Sequence, residues 1–235
     1  MIAAVTGGTG FIGSHLVEAL IARGDTVRLL SRKEIVQTGS TVQNFVVDYQ
    51  KTETLHKALI GCDVVYHLAA ALRAPKQSDI IEINRSTANS LLTAVKQVSP
   101  NSNVVVCSSL AAAGPALNGL ARTIKQAAEP TSLYGKSKRA TEEAFEKHGD
   151  LNWTILRPPA VFGPRERDIF VFFKALSHGW SSQIGSIRRR FSWIYVRDFV
   201  DALLIADNSG SLNHQTHFVI SGDTDWTEFR TVAAE

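Results

Sequence analysis

The chain has 235 residues, 44% of them hydrophobic and 20% charged, with 25 Lys and Arg against 22 Asp and Glu. That length suits one full α/β domain with a small appended lobe, and that apolar fraction suits a folded core, not a disordered chain. A net charge of +3 without a long run of positives gives no reason to expect nucleic acid or an anionic membrane as partner.

The first expected strand, 2–6, begins within two residues of the N-terminus. No basic n-region or cleavage site precedes it, and no apolar run approaches the ~18 residues of a membrane span. Cys62 and Cys107 lie far apart without a CxxC partner. Free buried thiols and a cytoplasmic location are expected, and no metal site.

Strand 2–6 runs into Thr6-Gly7-Gly8-Thr9-Gly10-Phe11-Ile12-Gly13, which opens a helix expected over 11–22. Glycines between a strand and a helix allow a tight turn, close helix–sheet packing and close approach of a pyrophosphate. The free amides and positive end of the helix then face the anion. The spacing is GxxGxxG. Ser14 stands where a nucleoside triphosphate loop needs Lys, which excludes that motif. Gly7, Gly10, Phe11, Ile12 and Gly13 are therefore the expected seat of a dinucleotide; a ligand-free turn is the alternative.

The second strand, 26–31, ends in Leu30-Ser31-Arg32-Lys33. An acid at this place binds a ribose 2′-hydroxyl, whereas an Arg accommodates a 2′-phosphate. Asp25 precedes the strand and lies at its wrong end. Arg32 offers a planar fork, so NADP is the preferred cofactor, with NAD possible because Glu34 follows. Solvated loop charges are the alternative reading of Arg32 and Lys33.

Strands at 42–47, 63–68, 103–108 and 153–157 follow, alternating with helices at 53–60, 80–98 and 134–148. Apolar strands separated by helices imply a parallel sheet covered on both faces. The expected fold is α/β, a doubly wound parallel sheet (Rossmann) over 1–157, with a small C-terminal substrate lobe. Ser108-Ser109 closes the fifth strand. Tyr134 and Lys138 are four apart on a helix, hence on one face. A neighbouring ammonium favours the phenolate, so the phenol can donate a proton to a carbonyl or accept one from an alcohol. Ser109 can hydrogen-bond the same oxygen. A solvated helix face with an incidental Tyr and Lys is the alternative.

After Arg157 the texture changes. Pro158, Pro159, Gly163 and Pro164 form a breaker cluster. A helix at 168–176, three arginines at 188–190, a helix near 196–206 and a strand at 217–220 are expected. Residues 158–235 thus mix a partial substrate-binding lobe with returning Rossmann elements. The last residues look like a helix still under way, so the chain is expected to be incomplete at its C-terminus.

At this point the chain resembles the extended short-chain dehydrogenase/reductases, also called NAD-dependent epimerases/dehydratases. The resemblance covers essentially all of the chain. It rests on the glycine loop, His67-Leu68-Ala69-Ala70, Asn84, Ser108-Ser109, Tyr134-x-x-x-Lys138, Arg157-Pro158-Pro159-Ala160-Val161-Phe162-Gly163-Pro164 and Tyr195-Val196-x-Asp198. It implies a catalytic set of Ser109, Tyr134 and Lys138, with Lys138 also holding the nicotinamide ribose. Asp48 would meet the adenine amino group. Leu68 and Ala69 would line the cofactor's path, Pro158 and Val161 would border the nicotinamide, and Asn84 would kink a helix or relay a proton. His67 reads as a core histidine.

Within the family, dehydratases carry an Asp-Glu pair after the serine. Ser109-Leu110-Ala111-Ala112-Ala113-Gly114 has no carboxylate, and it departs from the Val-Tyr-Gly of sugar epimerases. The pattern is closest to members similar to dihydroflavonol reductase and 3β-hydroxysteroid dehydrogenase. An NAD(P)-dependent oxidoreductase for a small carbonyl or hydroxyl substrate is therefore expected. Arg165, Arg167 and the arginines at 188–190 favour a nucleotide-sugar epimerase if they clamp a diphosphate, and are otherwise a solvated basic surface. A non-catalytic NADP-binding regulatory protein is a third reading. The family often forms homodimers through two helices corresponding to 84–98 and 134–148.

Overall fold

The computed structural model describes residues 1–35, 41–116, 120–167, 169–171, 174, 190–208 and 210–233. Seven strands form one parallel sheet: β1 (Ile2–Thr6), β2 (Thr26–Ser31), β3 (Val42–Val46), β4 (Val64–His67), β5 (Asn103–Cys107), β6 (Trp153–Arg157) and β9 (Gln215–Phe218). Their order is β3-β2-β1-β4-β5-β6-β9, the doubly wound arrangement in which the chain reverses direction between β1 and β4. A second sheet, β10-β8-β7, joins β7 (Ala160–Phe162), β8 (Phe191–Tyr195) and β10 (Gly222–Thr224).

The helices are α1 (Phe11–Ala22), α2 (Thr52–Leu59), α3 (Asp79–Val98), α4 (Leu110–Ala113), α5 (Leu133–Glu146), α6 (Val196–Asn208) and α7 (Trp226–Ala233). Every residue of β4 and β6 is buried, which is why these strands read as unbroken apolar runs, not as alternating ones. One side of the sheet packs Leu55, Leu91, Leu92 and Phe145 from α2, α3 and α5 against Val104 and Ile155. The other packs Leu16, Leu20, Phe199 and Leu203 from α1 and α6 against Tyr66 and Val105. Each such side chain contributes about 1.5–3 kcal/mol when fully buried.

The region after Arg157 serves both sheets. α6 covers the main sheet, and β9 pairs with β6 from Thr154↔Gln215 to Arg157↔Phe218. That register starts the strand two residues before the expected 217–220. Residues 169–171 and 174 are helical, but the rest of the helix expected at 168–176 lies outside the described residues, as do Arg188 and Arg189.

Candidate active site

The turn after β1 is shaped by its glycines. Gly7 has φ +71°, and a Cβ there would come within 2.7 Å of the Ala69 amide nitrogen. A Cβ on Gly13 would lie 2.2 Å from the Gly7 carbonyl oxygen. The loop, the end of β4 and the first turn of α1 therefore close on one another only through missing side chains. Gly10 differs: a Cβ there would meet only the Gly7 carbonyl oxygen, at 3.2 Å, and otherwise open space. Gly10 is also the N-cap of α1, and no side chain caps the helix. The first amides of α1 are thus left for an outside acceptor.

These residues open onto a crevice of about 860 Å³, within the range of about 300–1,000 Å³ for small-molecule sites. It brings together Gly7, Gly10, Phe11, Ile12, Gly13, Arg32, Leu68, Ala69, Tyr134 and Lys138. Asp48, Ser109, Pro158 and Val161 are not among its lining residues. Asp48 is exposed, its Oδ1 accepting the Gln50 amide at 3.0 Å. Ser109 caps α4, its Oγ accepting the Ala111 amide at 3.2 Å; its hydroxyl has no acceptor among the described residues and can donate to a second partner. Pro158 is buried and accepts the Leu110 amide at 2.8 Å. Val161 pairs with Ile194 in the small sheet.

Beyond β2, Arg32 and Lys33 line the crevice, and neither makes an ion pair among the described residues. Tyr49, the neighbour of Asp48, lines it too, a residue not singled out from the sequence. Burial pushes its phenol up to about 12, against a hydrogen bond with Thr6 and the charge of Arg32. Its signal in the sequence is slight: one aromatic after the acid that closes the third strand.

At the opposite end, Tyr134 is 41% exposed. Lys138 is buried one turn on, and its Nζ donates to the Cys107 carbonyl oxygen at 2.8 Å. An ammonium has three donors, so this bond leaves two for a ligand. Burial raises the Cys107 thiol's pKa, with the Lys138 charge acting against it. His67 is 2% exposed and shares a 3.1 Å hydrogen bond between its Nδ1 and Thr6 Oγ1. Burial, helped by the Lys138 charge, pushes its pKa down to about 3, so it is a neutral histidine held in the core. Asn84 spends its amide on Ala71, accepting its N–H at 2.7 Å and donating to its oxygen at 3.1 Å.

The crevice is also lined by Ala70, Ala71, Leu72, Ile83, Asn84 and Thr87, with Leu72 67% exposed. Two of the arginines considered for a diphosphate clamp are committed elsewhere. Arg165 binds Glu18 at 2.5 Å and Ser14 at 3.0 Å on α1. Arg190 binds Asp223 at 2.5 Å. Arg167 is exposed without an ion pair among the described residues.

The family model for the NAD-dependent epimerase/dehydratase family matches residues 3–221. The chain is 31% identical over 182 residues to a decarboxylating sterol-4-alpha-carboxylate 3-dehydrogenase of Dictyostelium discoideum, covering 69% of this chain and 54% of that protein. It is 28% identical over 200 residues to ceramide reductase of Caulobacter vibrioides, covering 84% of this chain and 58% of that protein. The chain thus spans a little over half the length of these two curated relatives. A solved UDP-glucose 4-epimerase of Thermus thermophilus, in complex with NAD, shares 26% identity at a TM-score of 0.81, over 100% of this chain and 82% of that one. Among the described residues no helix is long and apolar enough to cross a membrane.

Proposed function

The chain belongs to the NAD-dependent epimerase/dehydratase family, and from that premise we propose that it is an NADP(H)-preferring oxidoreductase acting on a carbonyl or hydroxyl carbon of a small, largely apolar substrate. The observation that carries this reading is that Tyr134 and Lys138 line the same crevice as the uncapped start of α1. The cradle fits a dinucleotide: uncapped amides in the first turn of α1 for the pyrophosphate, and, lining the same crevice, Arg32 and Lys33, without an ion pair among the described residues, for a 2′-phosphate.

A bound nicotinamide supplies or takes up the hydride. The chain's own part is to hold the reactants and to move one proton. In the reducing direction the hydride adds to the carbonyl carbon while Tyr134 Oη gives its proton to the carbonyl oxygen, leaving an alcohol and a phenolate. Lys138 lines the same crevice, its ammonium held by the Cys107 carbonyl oxygen. Ser109, with its hydroxyl proton free, is the second donor to the substrate oxygen. Ala70, Ala71, Leu72 and Ile83 in the crevice lining and the committed Asn84 amide favour a substrate with an apolar body, in keeping with the sterol and ceramide named for two relatives.

A nucleotide-sugar epimerase is the second reading, favoured by the likeness to the Thermus enzyme. The engagement of Arg165 and Arg190 in ion pairs counts against it. Incubation with NADPH and a steroid ketone, a long-chain ketone or an aromatic ketone, and separately with NAD and UDP-glucose, tests both. Ketone reduction without sugar epimerisation is expected. Epimerisation of UDP-glucose without ketone reduction would replace the first reading with the second, and NADPH binding without any turnover would leave a binding protein.

A further inference from the structure

Glu142 lies two helical turns beyond Tyr134. It follows Tyr134 and Lys138 on α5 at spacings of eight and four, so the three share one face. It is 0% exposed, yet it is a carboxylate. Such a group stays ionised in a core only when it is paired and hydrogen-bonded. Arg157, the last residue of β6, donates Nε to Oε1 at 2.7 Å and Nη2 to Oε2 at 2.6 Å. Ser108 Oγ donates to Oε1 at 2.5 Å. Arg139, one turn back on α5, donates Nη1 to Oε2 at 3.2 Å and also binds Glu146 through Nη1 and Nη2, with its Nε 3.5 Å from Glu143 Oε1.

These contacts tie one helix to two strand ends. Ser108 adjoins Ser109, the start of α4. Arg157 precedes Pro158, which accepts the Leu110 amide. The Arg157 guanidinium also lies over the Phe218 ring, 5.8 Å from its centroid, so the far side of the clamp is packed on β9. One turn nearer Tyr134, Lys138 makes the next tie, to the Cys107 oxygen. Successive residues of extended backbone point to opposite sides. Engaging Ser108 with Glu142 therefore leaves Ser109 for α4 and the substrate side.

We propose that Glu142 is a positioning residue: through Ser108 and Arg157 it sets where α5 sits along the ends of β5 and β6, and so holds Tyr134 and Lys138 in place relative to Ser109. Its effect on turnover rests on the reading of Tyr134 as proton donor; the lock itself does not depend on the substrate. The test compares wild type, Glu142→Gln and Ser108→Ala, each with NADPH, by amide hydrogen exchange, NADPH fluorescence titration and steady-state reduction of a steroid ketone.

In Glu142→Gln, exchange over residues 133–138 should rise by about tenfold or more relative to the amides of α1 in the same molecule. The kcat should fall about tenfold or more, while KM and the NADPH dissociation constant change by less than about threefold. Exchange that rises no more in α5 than in α1, or an unchanged kcat in the folded variant, overturns the proposal. If Glu142→Gln does not fold, Ser108→Ala decides by the same readouts, since it keeps the Arg157 pair. If wild type reduces no ketone, or Tyr134→Phe is as active as wild type, the functional reading fails and the exchange comparison alone decides the lock.

Discussion

Lys138 reaches under its own helix to the end of a neighbouring strand, its Nζ donating to the Cys107 carbonyl oxygen at 2.8 Å. The bond pins the ammonium beside the crevice that Tyr134 also lines. A charge placed there before any ligand arrives needs no reorganisation when the proton moves. The same charge adds to burial in keeping His67, at the end of the adjacent strand, neutral.

Lys138→Met keeps most of the side chain's length and removes the ammonium. Both NADPH affinity and turnover should fall, affinity by about tenfold or more for one lost charge-assisted contact. Calorimetric titration beside steady-state kinetics would check it. Loss of turnover with unchanged affinity would take the ribose contact away from Lys138.

Arg32 lines the crevice past β2 without an ion pair among the described residues. NADPH should therefore bind more tightly than NADH, and Arg32→Ala should weaken NADPH by about 1.5–3 kcal/mol while barely affecting NADH. Titrating both cofactors into both proteins measures this. Equal affinities in wild type would make Arg32 a solvated loop charge.

His67 gives a pH signature. Its pKa in the fold is pushed down to about 3 by burial and by the Lys138 charge, from an ordinary value of 6.5. The unfolded chain takes up a proton on this ring before the folded chain does, so stability rises with pH across that window. The contribution is complete above about 6.5 and is lost as pH falls toward about 3. His67→Gln should flatten the decline between these limits. Urea unfolding midpoints of wild type and variant across the window would show it; parallel curves would mean that the histidine is not held neutral.

Much of this was legible in the sequence for a physical reason. Buried parallel strands announce themselves as apolar runs, and β1, β2, β6 and α1 fall on the expected residues. The glycine loop was legible because its glycines are demanded by the backbone contacts of Gly7 and Gly13. The small sheet was not: β7 and β10 have three residues each and are at most half-buried, so they carry no period to detect. β9 was displaced because its register is imposed by β6, not by its own side chains. Glu142 was hidden because a glutamate in a helix reads as solvated until Arg157 and Ser108, distant in sequence, are seen to surround it.

In the proposed reaction Tyr134 moves the proton, and the parts given to Ser109 and to the Lys138 charge in that reaction depend on this step. Tyr134→Phe keeps the ring and removes only the hydroxyl. Measured with NADPH and the best ketone substrate of wild type, turnover should fall by a factor of about a hundred or more, with NADPH affinity near that of wild type. Turnover equal to wild type would overturn the mechanism, because the hydroxyl would then have no part in the reaction.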